Sequence, residues 1–523
     1  MTDDGLSRRD LLLLGAGAGA LAACIGRDTG GAGDLDEVTI GELQDRMHSG
    51  RESAASLVEK YTRRIAATNT SGPMLRAVLQ INPEAMAIAE RLDTERERGS
   101  VRGPLHGIPI LIKDNIDTGD AQLTSSGSLA LARPALGDAF AVARLREAGA
   151  VILGKANLSE WANFRGTASS SGWSARVGQC RNPYALDRSP SGSSSGSAVA
   201  VAANLCAVAL GTETDGSIVS PSSCNGLVGV KPTVGLVSRA GVIPIASSQD
   251  TIGPMARTVT DAAIVLGAIA GHDPADPQSV PRAEDYTRYL TPRALAGARL
   301  GVPRKGFFGN NRNVDAVMTE ALAKLKELGA ELVDPADLVA PPDLAAAEIE
   351  VFLYELKATL GAYLGERGAT LADIIAFNKG HADRELGLFG QEYFEAAAAK
   401  GSLADQAYRD ARAKCIDIAR TRLLDKVMSE QRLDAFVAAT NGPAWLIDPV
   451  NGDGYTGVSC SSLPAISGYP HVTVLGGRFR GLPIGLSFFG APFTEGKLLG
   501  YAFAWELATG HRAPPRFLRT VEL

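Results

Sequence analysis

The sequence has few aromatic residues, few cysteines and no excess of positive charge. Aromatic side chains make up 6% of the 523 residues, six residues are cysteine, and the formal net charge is −6. This charge balance, without any Lys/Arg cluster, excludes a phosphate-tracking surface, so we expect no nucleic-acid partner. Hydrophobic residues at 45% and charged residues at 21% are typical of a globular chain. Disorder, coiled coil and collagen are therefore excluded as the main architecture.

No hydrophobic run is long enough to span a bilayer. The apolar stretch covers residues 11–23, whereas a spanning helix needs about 20 residues. The segment Ser-Arg-Arg-Asp-Leu-Leu-Leu at 7–13 overlaps its start and matches the twin-arginine pattern of exported proteins. The stretch ends in Leu-Ala-Ala-Cys at 21–24, which resembles a bacterial lipoprotein box. Cys24 is therefore the predicted lipidation site.

These N-terminal patterns predict three segments. Residues 1–23 are expected to be a twin-arginine or lipoprotein-type signal peptide, 24–36 a flexible Gly- and Asp-rich tether, and 37–523 one large folded domain. The protein is then exported to the bacterial cell envelope as a periplasmic or cell-surface lipoprotein, and it contacts the membrane only through its lipid anchor. An uncleaved N-terminal anchor and an ordinary cleavage site without lipidation remain open alternatives.

Short apolar strands alternate with helical patterns through the remaining sequence. Thr-Ile-Gly-Glu at 39–42 fits a capping box, and Leu57, Tyr61 and Ile65 recur at the four-residue helical interval. Continuous apolar strands separated by helices indicate a single large α/β domain whose sheet is covered on both faces. Residues 313–435 are rich in helical patterns and are predicted to form an inserted lobe. The predicted strands include 77–81, 108–112, 150–153, 207–210, 472–475 and 484–488.

The cysteines that follow Cys24 are scattered, and no pair has the C-x-x-C spacing of a zinc or redox site. We therefore predict buried thiols. The sequence also contains no H-E-x-x-H motif, so neither a metal nor another cofactor is predicted. These cysteines are Cys180, Cys206, Cys224, Cys415 and Cys460.

Three segments carry candidate chemistry. In the first, 107–115, Lys113 ends an apolar strand. The second, 189–197, is a Ser/Gly run that leads directly into an apolar helix, so its backbone N–H groups point into one cavity. The third, 211–219, is a turn of small residues after an apolar strand, which lets main-chain amides approach a ligand closely.

Together these segments resemble the amidase signature family of Ser-Ser-Lys hydrolases, and the resemblance extends over residues 37–486. It implies an α/β domain with a mixed central sheet and no cofactor. It also implies that Ser217 is the nucleophile and that Ser193 relays its proton to Lys113. Backbone N–H groups of the 214–217 turn would hold the oxyanion. The residues implied there besides the nucleophile are Thr214, Asp215 and Gly216.

Further matches narrow the implied substrate. Ser-Glu-Trp-Ala-Asn-Phe-Arg-Gly at 159–166 and Ile-Ala-Phe-Asn at 375–378 resemble the family members that remove the C-terminal amide from peptides. Asp215 and Val219 replace the Gly and Arg of most members, and the same subgroup shares both replacements. The resemblance therefore implies a small-molecule or peptide amide as substrate, cleaved to acid and ammonia. Ala439 and Leu475 stand where the family often has Pro.

The chemistry places a demand on Lys113, because an amine accepts a proton only when it is neutral. The pKa of a free lysine is about 10.4, and burial at a strand end lowers it.

Asp215 has two interpretations: its carboxylate bonds neighbouring loop amides, or it contacts the substrate amide nitrogen. For Glu160, Trp161 and Arg165, packing in the core or a loop is the simpler interpretation.

Two other functions stay open at this point. Gly-Ser-Ser-Ser-Gly at 192–196 satisfies G-x-S-x-G, the nucleophile elbow of an α/β-hydrolase esterase with Ser194 as nucleophile. Such an elbow needs a strand before it and a downstream histidine, for which His471 and His511 are available. The second alternative is a surface-tethered binding lipoprotein without catalysis.

Overall fold

The computed structural model describes residues 34–522. The predicted signal peptide, Cys24 and most of the predicted tether therefore lie outside the described residues, and their predictions remain predictions. From Glu37 onward the chain forms one compact unit.

The described chain forms one eleven-stranded sheet and one two-stranded ribbon, β3–β4. The order in the large sheet is β1-β5-β2-β6-β8-β7-β12-β13-β11-β9-β10, with the strand bounds given next. These are β1 (Val78–Ile81), β2 (Pro109–Lys113), β3 (Leu123–Thr124), β4 (Arg133–Pro134), β5 (Val151–Ala156), β6 (Val208–Glu213), β7 (Val228–Lys231), β8 (Thr251–Ala256), β9 (Arg299–Gly301), β10 (Glu331–Val333), β11 (Ala435–Ala439), β12 (His471–Phe479) and β13 (Leu482–Phe489).

The sheet is mixed, as the family resemblance implies. Strands β5, β2 and β6 run parallel to one another, and so do β11, β9 and β10. The central strands from β6 to β11 pair antiparallel, as does edge strand β1 with β5. The carboxyl ends of β2 and β6 therefore lie side by side at one edge of the sheet.

Helices flank this sheet, which confirms the predicted α/β class with helices over both faces. Helix α5 packs on β2, β5 and β6, and α7 packs on β7 and β8. The α-helices are α1 (Ile40–His48), α2 (Ala54–Thr68), α3 (Ala85–Glu97), α4 (Phe140–Glu147), α5 (Ser195–Ala202), α6 (Val219–Cys224), α7 (Val259–Ile269), α8 (Arg312–Glu327), α9 (Leu344–Gly365), α10 (Leu371–Gly380), α11 (Ala382–Glu385), α12 (Glu392–Ala398), α13 (Gln406–Ile416), α14 (Lys426–Gln431), α15 (Ser462–Ser467) and α16 (Glu495–Thr509). Short 3-10 turns cover Glu160–Asn163 and Tyr286–Tyr289, and a π-helix covers Asp417–Asp425.

Local sequence explains where the first helices begin and which face they bury. Thr39 caps α1, with the reciprocal bonds to Glu42 that define the predicted capping box. In α2, Leu57, Tyr61 and Ile65 are all buried. The helical periodicity therefore predicted both the helix and its buried face.

The predicted lobe at 313–435 is wrong in its boundaries. Helix α8 packs on the central strands, and the β10 strand after it extends the main sheet beside β9. Residues 344–431 contain helices joined by short loops and no strand. Apolar side chains of α9, α10 and α12 pack against the turns at 161–164 and 243–246, so this helical segment covers loops of the domain.

The five cysteines from Cys180 onward are free thiols and all are buried, as predicted. Within residues 34–522, no helix combines the length and the apolar character needed to cross a bilayer.

Candidate active site

Lys113 is the last residue of β2, and Thr212 lies near the end of the parallel neighbour β6. The Lys113 side chain is fully buried, although lysine ordinarily extends to solvent. Parallel pairing places the two strand ends together, so the ammonium group meets the end of β6 and the Ser/Gly turn before α5.

Three oxygen atoms surround Lys113 Nζ. It lies 2.8 Å from Ser193 Oγ, 2.8 Å from Thr212 Oγ1 and 3.2 Å from the Thr212 carbonyl oxygen. A neutral amine has two N–H donors and one lone pair. It can donate to the two Thr212 oxygens while its lone pair accepts the Ser193 hydroxyl proton. The contacts therefore suit an uncharged lysine that takes a proton from Ser193.

The electrostatic surroundings also favour the uncharged form of Lys113. Burial lowers the pKa of Lys113 well below its usual value of 10.5, and the carboxylates of Glu213 and Asp250 oppose this shift in part. Both carboxylates have other partners in the loops behind the site. Lys113 therefore lies among hydroxyl and carbonyl oxygens, without a carboxylate bonded to its amine.

The turn that carries Ser193 is packed too closely for side chains larger than those present. A Cβ atom on Gly192 would lie 2.1 Å from Ser159 Oγ, and the Gly192–Ser193 peptide bond is cis. Ser193 is fully buried. The next residue, Ser194, fixes the turn to β6: its hydroxyl donates to the Thr212 carbonyl oxygen at 3.0 Å and accepts the Thr212 N–H at 3.2 Å.

Glu213 shapes the loop that carries Ser217. Its buried carboxylate accepts the backbone N–H groups of Ile218 and Val219 at 2.8 and 3.0 Å, which bends the chain back toward β6. Gly216 lies at the apex with φ of +76°, a conformation that glycine adopts without strain. These bonds leave residues 215–217 as a tight turn between β6 and α6.

The backbone amides of this turn are free to bind an oxyanion. Within the described chain, no hydrogen bond uses the N–H of Asp215, Gly216 or Ser217. A row of unpaired donors stabilises a tetrahedral oxyanion. Thr214 has a supporting position, because its hydroxyl donates to Asp250 at 2.6 Å and its carbonyl accepts from Gln249 at 3.2 Å.

The two predicted catalytic serines belong to adjoining turns. The Ser194 N–H donates to the Ser217 carbonyl at 3.2 Å, which ties the turns together. Among residues 34–522, however, no hydrogen bond joins the hydroxyls of Ser193 and Ser217. Ser217 is 9% exposed, whereas Ser193 and Lys113 are fully buried. Ser217 is thus the member of the predicted trio that a substrate reaches first.

Comparison with known proteins agrees with this geometry. The family model described as "Amidase" matches residues 56–499 of the chain. The chain belongs to the amidase family. It is therefore an amide-hydrolysing enzyme, and the resemblance predicted from the three segments is confirmed.

Individual members of the family align over almost the whole chain. A probable amidase of Arabidopsis thaliana is 41% identical over 498 residues, which cover 92% of each chain. The solved structure of native peptide amidase from Stenotrophomonas maltophilia is 50% identical, covers 92% of this chain and 99% of its own, and has a TM-score of 0.88. Peptide amidase in complex with the competitive inhibitor chymostatin has the same identity and coverage, with a TM-score of 0.90.

The structure bears on one of the two interpretations of Asp215. No loop amide of the described chain donates to its carboxylate, and its Oδ1 is buried without a hydrogen-bond partner. Burial raises the pKa of Asp215, while the nearby hydroxyls of Ser461 and Ser462 oppose that rise. Bonding to loop amides, one of the two alternatives, is therefore not observed.

Residues 159–166 have a packing role, as predicted. The Arg165 guanidinium is fully buried, bonded to Glu160 and 3.4 Å from Glu385. Trp161 packs edge-on against Phe394 at 5.0 Å between ring centres. These contacts join the 159–166 segment to helices α11 and α12.

The esterase alternative with Ser194 does not fit the family or the geometry. Residues 189–193 are irregular rather than a strand, and both functions of the Ser194 hydroxyl are used by the Thr212 backbone. His471 is buried and bonded to Ser487 at 2.6 Å, and the His511 ring packs on Trp505. Family membership also argues against a purely binding lipoprotein.

Sequence reasoning assigned no role to several residues that build the site. Thr212, Asn115 and Glu213 lie inside the recognised segments, where a polar side chain at a buried strand end is the available signal. Gln249 and Glu348 lie in segments without a motif. Among the described residues, no group of three or more His, Cys, Asp or Glu side chains is placed to hold a metal ion.

Proposed function

We propose that the protein hydrolyses primary carboxamides to a carboxylic acid and ammonia through an acyl-enzyme on Ser217, with Ser193 and Lys113 as the proton relay. The observation that carries this proposal is the 2.8 Å contact between Lys113 Nζ and Ser193 Oγ inside a fully buried site. A buried amine that bonds only uncharged oxygens is poised to accept a proton.

In the first step the Ser217 oxygen attacks the substrate carbonyl carbon. The Ser217 proton passes to Ser193 Oγ as the proton of Ser193 passes to Lys113 Nζ. A hydroxyl suits the middle position because it donates and accepts at once. Catalytic hydrogen bonds commonly tighten only when substrate binds, so the relay requires the two serine hydroxyls to approach in that complex.

The negative charge that develops on the carbonyl oxygen is stabilised by the free N–H groups of the 215–217 turn. The proton then returns through Ser193 to the leaving nitrogen, the carbon–nitrogen bond breaks, and ammonia departs. Water attacks the acyl-enzyme with the same relay as base. The acid product leaves, and Ser217 regains its proton.

We further propose that the substrates are peptides with a C-terminal amide. Support comes from 50% identity over 92% of the chain to peptide amidase, whose inhibitor complex has a TM-score of 0.90. The 159–166 segment and the Asp215 replacement agree with this assignment, since both match the peptide-amide subgroup.

The cellular location is proposed from the sequence alone. The twin-arginine pattern at 7–13 and the box ending at Cys24 favour export and lipid anchoring in a bacterial envelope. Membrane fractionation of the wild type and of Cys24→Ser tests the anchor. The substitution should release the protein into the soluble envelope fraction, and unchanged membrane retention would contradict lipidation.

The activity is tested by ammonia release from a C-terminally amidated dipeptide, a fatty acyl amide and an aryl ester. We expect the dipeptide amide to be the best substrate and Ser217→Ala to lose at least about 10⁴-fold in kcat. Ser194→Ala is the matched control in the neighbouring turn. Turnover that survives in Ser217→Ala but is lost in Ser194→Ala would overturn the proposal in favour of the esterase.

A further inference from the structure

One acidic residue from a remote part of the chain lies near the loop that carries Ser217. Glu348 lies in α9, within the helical segment, and is 7% exposed, close to the 9% of Ser217. Its Oε1 accepts a hydrogen bond from Gln249 Nε2 at 2.9 Å. The same Gln249 nitrogen donates to the carbonyl oxygen of Thr214. One amide group therefore holds the Glu348 carboxyl beside the loop of the nucleophile.

The second oxygen of this carboxyl has no partner. Within the described chain no hydrogen bond uses Glu348 Oε2, and Asp215 Oδ1 is buried and makes no hydrogen bond. Burial and, next, the charge of Asp215 raise the pKa of Glu348 well above its usual value. The two groups are near enough for the charge of Asp215 to raise the pKa of Glu348, and the buried Asp215 Oδ1 has no donor.

Buried acceptors without donors cost free energy, and a ligand that brings donors removes the cost. In the proposed function a substrate carbonyl binds at the free amides of 215–217, a turn that includes Asp215 and follows Thr214, whose carbonyl oxygen shares Gln249 Nε2 with Glu348. The substituent of that carbonyl in a primary amide is –NH2, which carries two N–H donors. The corresponding ester oxygen carries none, so it would leave the carboxyl oxygens unpaired.

We propose that Glu348 is a specificity-determining residue that, together with Asp215, accepts the N–H bonds of the –NH2 group of a primary carboxamide. This inference rests on the proposed function, since it assigns the leaving-group side of the same site. Glu348 distinguishes amides from esters with the same acyl group. It takes no part in proton transfer by Ser193 and Lys113.

The test compares an N-acetylated dipeptide amide with the methyl ester of the same dipeptide, in wild type and Glu348→Gln. Acetylation removes the positive charge of the dipeptide's N-terminal amino group, so binding of that charge by Glu348 cannot contribute to the measured rates. The substitution replaces an acceptor oxygen with an –NH2 donor and leaves a substrate N–H unpaired, which predicts a fall of about 10- to 100-fold in kcat/KM for the amide. The ester value should stay within about threefold, which also reports that the site is folded.

Glu355→Gln is the matched control. Glu355 lies on the same helix, is buried, and accepts the Ser248 N–H at 2.8 Å in the loop beside Gln249. It also accepts the Tyr408 hydroxyl at 2.8 Å, so both its oxygens have protein partners. This substitution should change amide and ester turnover together, because it affects only how α9 is anchored.

An equal loss for amide and ester in Glu348→Gln, or no loss for either, would overturn the inference. If Glu348→Gln does not fold, Asp215→Asn carries the same prediction of a selective loss for the amide. Failure of the proposed function has a different signature, since the wild type would then release no ammonia from the amide.

Discussion

Two buried lysines on neighbouring strands have opposite surroundings. Lys113 pairs with Ala156, and Lys155 pairs with Ile112, so the two side chains point to opposite faces of the sheet. Both are fully buried. Lys155 donates to the carbonyl of Ile116 and, at 3.0 Å, to Thr124 Oγ1.

The difference lies in the nearby charge. Burial lowers the pKa of Lys155, but the carboxylates of Asp114, Asp117 and Asp120 oppose that shift. Lys113 instead bonds Ser193 and Thr212, and burial lowers its pKa well below the usual value. Burial alone therefore does not make a lysine a base. Both amines bond uncharged oxygens, so the nearby carboxylates make the difference: they hold the pKa of Lys155 closer to its usual value than that of Lys113.

Among the substitutions that test the comparison of the two lysines, the largest effect is expected for Lys113→Met, which keeps an unbranched apolar chain but removes the amine. Loss of a general base predicts a fall in kcat of about 10²- to 10⁴-fold. Steady-state kinetics on a peptide amide measure it, with circular dichroism as the check on folding. Wild-type turnover by the folded variant would eliminate Lys113 from the mechanism.

A smaller effect is expected for Thr212→Val. The hydroxyl lost in this near-isosteric change bonds both Lys113 Nζ at 2.8 Å and Asn115 Nδ2 at 2.9 Å. We predict a fall in kcat of about 10-fold, because the amine loses a partner that orients it. Thr212→Ser restores the hydroxyl and should recover most of the rate. Equal rates in the Val and Ser variants would show that the hydroxyl does not position Lys113.

The smallest effect on turnover is expected for Lys155→Met. This substitution leaves Asp114 and Asp117 buried with less compensating charge, so we predict a loss of about 3–5 kcal/mol in the free energy of unfolding. The kcat of the folded fraction should stay within about threefold. Denaturant titration measures the free energy of unfolding, and kinetics normalised to the concentration of active sites measure kcat. A kcat loss as large as that of Lys113→Met would remove the distinction between the two lysines.

Local motifs identified the three segments that meet at the candidate site. Lys113 and Ser217 each lie within a few residues of a strand end, where apolar runs and small-residue turns are visible in the sequence. Parallel neighbours β2 and β6 then bring their carboxyl ends together. The α/β class was predictable for the same reason, since long apolar strands and amphipathic helices have distinct periods.

Long-range contacts were not predictable in this way. Glu348 reaches the nucleophile loop through Gln249, 99 residues away in sequence, and neither residue belongs to a recognisable pattern. The three-residue strands β9 and β10 are too short to show the two-residue periodicity of a strand. The sequence analysis therefore did not predict this edge of the sheet, and it assigned too many residues to the inserted lobe. These features depend on how the chain packs, which a single sequence does not display.

The most direct test of the account is the pH dependence of kcat/KM on a peptide amide for wild type and Lys113→Met, measured from pH 5 to 10. Because the base must be neutral, the rate should rise with pH until the Lys113 pKa is passed and then level off well below pH 10.5. Carboxyl groups also titrate nearby, since burial raises the pKa of Asp250 to about 6, and the variant separates their contribution. The rising limb should disappear in Lys113→Met. A rising limb that persists unchanged in the variant would contradict it.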